Sequence, residues 1–103
     1  MNPFGNPQKL MKQLQEKQEK MQQEIAALRL EATAGGGMVR VEMSGEKALV
    51  SLKIDPEVVT KDDVEMLQDL ILAAVNEASR KVDEAVKEKV AELTSGMKIP
   101  GLM

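Results

Sequence analysis

Basic side chains near the two ends of the sequence are the groups best able to do chemistry, and that chemistry is phosphate binding. They form an early set and a late set: Lys9, Lys12, Lys17, Lys20, Arg80, Lys81, Lys87 and Lys89. Cations that reach nucleic-acid phosphates release condensed counterions, which supplies most sequence-independent affinity. The same side chains could instead form solvated ion pairs, since Glu16 lies four residues before Lys20. The residues alone leave both roles open.

Other kinds of chemistry are excluded by what the sequence lacks. There is no Cys and no His, and the only aromatic residue is Phe4. Thiolate and imidazole metal sites, Cys or His nucleophiles and imidazole bases are therefore absent, and no Trp or Tyr can stack on unpaired bases. We expect no enzyme activity, no metal, no cofactor and no small-molecule substrate.

Two further motifs could suggest ligand sites, and each has a simpler interpretation. The carboxylates of Asp62, Asp63, Glu65 and Asp69 could bind a divalent cation, but their spacing spreads them around a helix start, where they complement the helix dipole. The Gly35 to Gly37 run could cradle a phosphate, but no Lys-Ser/Thr pair follows it. We expect a helix N-terminus and a turn at these places.

Charge is distributed unevenly along the 103 residues, which suffice for one domain only. The net charge is −3, yet residues 55–77 hold seven acids against Lys61, and the rest of the chain has a balance of +3. No apolar run approaches the roughly 20 residues of a membrane span. We expect a cytoplasmic protein with no membrane contact, a single domain over residues 1–103 and flexible tails at 1–6 and 97–103.

The first predicted element is a helix over residues 7–28. Asn6 can cap it and Pro7 suits the first helical position. Apolar residues then follow a spacing of three and four that is interrupted at Gln18: Met11, Leu14, Met21, Ile25 and Leu28. So narrow a stripe indicates either coiled-coil-like packing or a single amphipathic helix lying on a sheet.

Beyond residue 28 the apolar period changes to two, which predicts three short strands at about 28–34, 39–44 and 48–54. The breaks at Gly35 to Gly37 and at Ser44 to Glu46 have the length of hairpin turns, so the strands should form an antiparallel meander. Four cations fall on the strands and turns, where a solvated outer face is expected: Arg29, Arg40, Lys47 and Lys53.

A second helix is predicted over residues 61–94, with Thr60 as its cap and Gly96 as its stop. Its 34 residues would measure roughly 51 Å at 1.5 Å each. A compact chain of this size has a radius of gyration of only about 13 Å. The helix must therefore break or project from the rest of the chain.

A three-stranded meander leaves two edges and an apolar face exposed to water. A second copy related by a two-fold axis is the simplest cover. We therefore predict a homodimer with projecting helical arms. The expected interface residues come from the second and third strands: Val39, Val41, Val50, Leu52 and Ile54.

Several segments together resemble the YbaB/EbfC family across nearly the whole chain. The most specific are Ile54-Asp55-Pro56, the run from Glu65 to Ile71, the segment from Ala73 to Lys81, and Ser95-Gly96-Met97 before Pro100. The resemblance implies an α+β fold with an N-terminal helix, a three-stranded antiparallel β-meander and a long C-terminal helix. It also implies an intertwined homodimer whose helices grip double-stranded DNA like tweezers, with a role in nucleoid organisation and gene regulation.

Under this resemblance the eight helix cations are the expected DNA contacts, and the expected location is the nucleoid within the cytoplasm. Because Lys reads bases less selectively than Arg, weak sequence preference is expected. The alternative is a dimeric, coiled-coil-like adaptor that binds a protein partner and has no direct contact with DNA. The net negative charge favours this alternative.

Overall fold

The computed structural model describes residues 6–95, without the side chains of residues 93–95. Its elements are α1 (Pro7–Ala27), β1 (Arg29–Ala34), β2 (Val39–Ser44), β3 (Leu49–Ile54), a 3-10 turn (Pro56–Val58) and α2 (Val64–Ser95). The α+β fold with two helices around a three-stranded sheet is confirmed. Apart from Asn6, the segments predicted to be flexible tails lie outside the described residues.

Helix α1 is closed at both ends by neighbouring side chains. Asn6 accepts a hydrogen bond from the backbone N–H of Gln8 at 3.0 Å, and Pro7 occupies the first turn, as predicted. At the other end the Arg29 guanidinium donates to the carbonyl oxygens of Ala26 and Leu28, each at 2.8 Å. None of the 21 residues of α1 is buried. The caps and the sequence propensity therefore define this helix more than packing does.

The sheet is an antiparallel meander in the order β1-β2-β3. Ala32, Val41 and Leu52 lie directly opposite one another across the three strands. All three residues of the Gly35 to Gly37 turn have positive φ, which glycine adopts without strain. A bulge at Glu42/Met43 pairs Met43 with Leu49. The uninterrupted two-residue period predicted for the third strand is therefore wrong in the first half of β3.

The core lies between α2 and two of the three strands. Alanine and valine side chains and one methionine fill it: Ala32, Val39, Val41, Met43, Ala74, Ala78 and Val82. Val41 is fully buried, while Leu52, directly opposite it, is 43% exposed. Helix α2 thus covers β1 and β2 and leaves apolar side chains of β3 in contact with water.

Helix α2 begins three residues later than predicted. The backbone N–H of Met66 donates to the Asp63 carboxylate at 3.1 Å, so Asp63 and not Thr60 caps the helix. The chain first makes the 3-10 turn after Asp55, whose carboxylate accepts from the N–H of Glu57 at 2.9 Å. The 32 residues of α2 then continue without a break, for about 48 Å.

The molecule is elongated, as a projecting helix requires. Its radius of gyration is 20.6 Å, and its longest dimension is 77 Å against 27 and 15 Å for the other two. A compact chain of this length would have a radius of gyration of about 13 Å. The long helix therefore projects and does not break.

Candidate nucleic-acid interface

The projecting part of the molecule is formed by α1 and the end of α2, which lie antiparallel. The Lys89 ammonium is 3.8 Å from the Glu24 carboxylate. Beyond this pair the helices flank an open cavity of about 300 Å³, lined by Lys17, Lys20, Met21, Glu24, Lys89 and Glu92. We call α1 together with residues 87–95 of α2 the arm. From this register, α1 continues about ten residues, or 15 Å, past the end of α2.

All four lysines of α1 are exposed, and none forms an ion pair with another residue in the range 6–92: Lys9, Lys12, Lys17 and Lys20. They span about 17 Å of helix axis. Three glutamates on the same helix reduce its net charge to +1. The helix therefore offers individual ammonium groups to a ligand and has no strong overall charge.

The late set of cations is divided by the structure. Arg80 and Lys81 lie over the sheet, between the buried residues Ala78 and Val82, and not on the arm. Lys87 and Lys89 lie on the arm, and Lys87 is exposed while Lys89 contacts Glu24. The prediction that the whole late set belongs to the projecting segments is thus only half right.

Arg80 is held by two carboxylates of its own helix. It donates to Glu77 at 2.6 and 3.1 Å and to Glu84 at 2.8 Å. The hydrogen bond from Arg80 lowers the pKa of Glu77, and the bond and charge of Glu77, with the charge of Glu84, raise the pKa of Arg80. Both groups are at the surface. Arg80 would have to give up these partners before it could bind a phosphate.

Lys81 has a structural contact fifty residues away in sequence. Its ammonium donates to the backbone carbonyl oxygen of Glu31 at 2.8 Å. Glu31 belongs to β1, an edge strand whose outward carbonyls have no neighbouring strand. Lys81 therefore ties α2 to the edge of β1 and satisfies an acceptor there.

Three of the four sheet cations also have partners that the sequence did not indicate. Arg40 pairs with Glu31 at 3.2 Å, and Lys47 pairs with Asp83 at 2.6 Å. Arg29, besides binding the end of α1, lies 3.9 Å from Glu42. A basic residue just after a predicted helix end is a recognised C-terminal signal, and it could have identified Arg29.

The residues predicted to form a dimer interface have different environments. Val39 and Val41 are fully buried within the chain, so they have no surface left for a partner. Val50 and Leu52 are 48% and 43% exposed, and Ile54 is half-buried. Only the β3 members of the predicted set could contact a second copy directly.

A second apolar surface lies on the flank of α2. An open cavity of about 540 Å³ is lined there by Gln68, Ile71, Leu72, Val75 and Asn76, and Leu72 is 59% exposed. Leu72 precedes Lys81 by nine residues, which is half a turn more than two full turns. Because Lys81 reaches β1, Leu72 faces away from the β1 edge. We call the exposed apolar side chains of β3, namely Leu49, Val50 and Leu52, the β3 patch.

Other classes of site find no support in residues 6–95. No group of three or more acidic side chains there is arranged to hold a metal ion, and the Asp62 to Asp69 cluster is spread around the start of α2. No helix in that part of the chain is long and apolar enough to cross a membrane.

The fold and the arm define a class: small α+β proteins in which a three-stranded sheet supports long projecting helices with exposed lysines. A solved structure of the same architecture is the crystal structure of an uncharacterized protein from Helicobacter pylori. It superposes with a TM-score of 0.75 at 23% identity, over 91% of this chain and 99% of that one. This likeness establishes the fold alone.

Within that class the family is identified by sequence. Residues 1–97 match the YbaB/EbfC DNA-binding family, and the chain belongs to it. A nucleoid-associated protein of Thermoanaerobacter pseudethanolicus is 52% identical over 96% of this chain and 89% of its own length. One from Koribacter versatilis is 50% identical, over 93% and 95%.

Proposed function

We propose that this chain binds double-stranded DNA mainly through phosphate contacts made by the lysines of α1. Membership of a DNA-binding family supports the ligand. The observation that carries the binding mode is that the four α1 lysines are exposed and free of ion pairs with the residues described, on a helix of which no residue is fully buried. Such ammonium groups can move to phosphates without breaking an interaction in the protein.

Most of the cations of α2 already have protein partners, which reduces the number of residues proposed to contact phosphate. Arg80, Lys81 and Lys89 would have to exchange protein groups for phosphate oxygens. Lys87 is exposed and lies on the arm beside α1. The proposed contacts are therefore Lys9, Lys12, Lys17, Lys20 and Lys87.

We propose that the protein works as a homodimer joined through the β3 patch. Exposed leucine and valine side chains on an edge strand are unfavourable in contact with water. A second copy related by a two-fold axis would bury these side chains on both chains at once. Two arms would then project from one body. This arrangement doubles the phosphate contacts without changing any of them.

The nucleoid of the cytoplasm is the proposed location, in agreement with the names of the relatives. Phosphate contacts carry no sequence information directly. A protein that binds in this way can occupy many sites, which suits nucleoid organisation and, through it, gene regulation.

A salt titration tests the binding mode. Five proposed lysine contacts in each chain of a dimer predict a log–log slope of about −9, or an affinity about 10⁵-fold weaker at 200 mM than at 50 mM salt. Changing Lys9, Lys12, Lys17 and Lys20 to Gln should remove most of this slope and weaken binding to random and genomic duplexes equally. Fluorescence anisotropy at several salt concentrations measures both effects.

The matched control removes the same number of charges elsewhere. Changing Arg40, Lys47, Lys53 and Lys61 to Gln alters the net charge equally but leaves the arm intact. Equal losses from the two variants would show that the DNA path crosses the sheet. If the unaltered protein fails to shift DNA at low salt and micromolar concentration, the adaptor hypothesis replaces this one.

A further inference from the structure

The cavity between the helices of the arm brings together cations from both helices. It is lined by Lys17 and Lys20 of α1 and Lys89 of α2, together with Met21, Glu24 and Glu92. We call this space of about 300 Å³ the arm cavity. Three lysines and two glutamates give it a net charge of +1, in a chain whose net charge is −3. The arm cavity therefore favours a ligand with a single negative charge.

Lys89 is held in the arm cavity less firmly than the other paired cations of α2. Its ammonium lies 3.8 Å from the Glu24 carboxylate, which is too far for a hydrogen bond. Arg80 and Lys81, by contrast, donate hydrogen bonds of 2.6 to 3.1 Å. The side chains of Lys89 and Glu24 are 32% and 46% exposed, and ion pairs so open to water contribute little to stability. Lys89 can therefore exchange Glu24 for another anion at small cost.

The neighbours of Lys89 determine which anion can replace Glu24. Lys17 and Lys20 are three residues apart on one face of α1, and they line the same cavity as Lys89. A backbone phosphate of DNA that binds these two lysines in the arm cavity would therefore also come within reach of Lys89. Such a phosphodiester carries one negative charge, whereas a terminal phosphate carries about −1.5 to −2 at pH 7. The diester is the better match for the charge of the cavity.

We propose that the arm cavity binds one phosphodiester group of double-stranded DNA and that Lys89 exchanges Glu24 for this group when the complex forms. This inference rests on the proposed DNA-binding function and adds Lys89 to its contacts. Glu24 is then a competitor within the binding site, because each binding event separates it from Lys89 and leaves its carboxylate beside a phosphate. Glu24 therefore lowers the affinity for DNA and makes binding more readily reversed.

Lys89→Gln tests the exchange through the salt dependence of binding. A sixth contact in each chain of a dimer steepens the predicted log–log slope from about −9 to about −11. Lys89→Gln should return the slope to about −9 in fluorescence anisotropy titrations of the full chain with a random duplex. Lys61→Gln is the matched control, since it removes the same charge from an exposed position before the start of α2. A change in slope no larger than that caused by Lys61→Gln would overturn the exchange.

Glu24→Gln tests the competition. Because no carboxylate then holds Lys89, the affinity for the duplex should rise about five-fold, as expected for the loss of two exposed ion pairs per dimer. The slope should stay at about −11, because Lys89 contacts phosphate with or without Glu24. If Lys89 instead remained with Glu24 in the complex, the variant would release a new contact and steepen the slope by about two units, which would overturn the exchange.

The matched control for this variant is Glu19→Gln, which removes the same charge from α1 at a position that does not line the arm cavity. It should raise the affinity less than Glu24→Gln, and an equal rise would show that Glu24 acts only through its charge. All four variants should keep the helical circular dichroism, since none of the changed side chains is buried.

Failure of this inference is distinguishable from failure of the proposed function. If the unaltered protein does not bind the duplex at low salt, both are wrong. If it binds and loses most of its slope when the α1 lysines are changed, but Lys89→Gln behaves like Lys61→Gln, only the exchange at Lys89 is wrong.

Discussion

Arg80 shows how a single side chain can be removed from the set of available cations. Carboxylates three residues before it and four after it bind three of its nitrogen atoms. Lys81, its neighbour in sequence, is committed to a backbone carbonyl of β1. The α1 lysines have no comparable partners within residues 6–92. Arg80 and Lys81 therefore serve the structure through their protein partners, while the α1 lysines remain available to a ligand.

The Glu77 carboxylate should titrate below its ordinary pKa of about 4.5. A lowered pKa means that the interaction stabilises the fold above the unfolded value and is lost as the pH falls through the folded value. Arg80→Gln should return the pKa of Glu77 toward 4.5, since the hydrogen bond from Arg80 is the main cause of the shift. Carboxyl NMR titration of both proteins measures this, and an unchanged Glu77 would contradict the assignment.

The same variant separates structural from DNA-binding roles. Arg80→Gln should leave the salt slope of DNA binding within one unit of its original value, because Arg80 is not among the proposed contacts. A loss as large as that from Lys12→Gln, measured by the same anisotropy titration, would return Arg80 to the binding set.

Local pairs could be predicted from the sequence, and distant ones could not. Glu77, Arg80 and Glu84 have the helical spacing for ion pairs. Lys81 and Glu31 are fifty residues apart, and their contact depends on how α2 lies on the sheet. For this reason sequence analysis could not separate Lys81 from the α1 lysines as a candidate DNA contact, whereas the spacing of Glu77 and Glu84 could have identified Arg80 as paired.

At the scale of elements, the close approach of α1 to the sheet depends on Gly45. A Cβ at this position would overlap the backbone carbonyl of Ile25, at the last turn of α1. Since backbone on both sides would have to move, Gly45→Ala should cost about 2 kcal/mol or more of unfolding free energy. Urea unfolding followed by circular dichroism measures the loss.

Gly36→Ala is the control, because the substitution strains the backbone of a turn but its added Cβ contacts no neighbouring atom. Gly36 has φ +67°, and a Cβ added there would meet open space, so the cost should be about 1 kcal/mol. If Gly45→Ala were the milder of the two, the junction between α1 and the sheet would be looser than described.

The elements themselves were predictable because their apolar periods are clear. Both helices and all three strands were found to within about three residues. The bulge in β3 was missed because a one-residue insertion leaves the local composition unchanged. The start of α2 was missed because Thr60 and Asp63 are both good capping residues, and the 3-10 turn between strand and helix decides between them.

At the scale of the molecule, the uneven cover of the sheet predicts opposite effects for two facing residues. Val41→Asp places a charge in the fully buried core and should unfold the chain, at a cost of about 3 kcal/mol or more. Leu52→Asp lies opposite it in the half-exposed β3 patch. It should preserve the fold and separate the proposed dimer into chains of 11.3 kDa.

Sedimentation equilibrium with circular dichroism distinguishes these outcomes. A folded Leu52→Asp protein that still has twice the mass of the chain would show that the copies join elsewhere. A mass of 11.3 kDa for the unaltered protein at micromolar concentration would contradict the proposed dimer.

The elongated shape of the molecule could be predicted by comparing the length of the second helix with the radius of a compact chain, because the helix was too long to fit. The exposure of β3 beside a buried β2 could not be predicted, because Val41 and Leu52 are similar residues in similar strands. Only the position of α2 over β1 and β2 makes one of them core and the other surface. The predicted interface therefore treated five residues as equivalent, although Val39 and Val41 are buried inside the chain itself.

The contact between Lys81 and the β1 edge has a consequence for the size of any assembly. A sheet with two open edges can add copies at both, and such growth has no natural end. Here Lys81 of α2 already occupies a carbonyl acceptor on the β1 edge, while the β3 edge exposes Leu49, Val50 and Leu52. If copies join at β3, each can add a single neighbour, so addition stops at two and fibre growth is blocked.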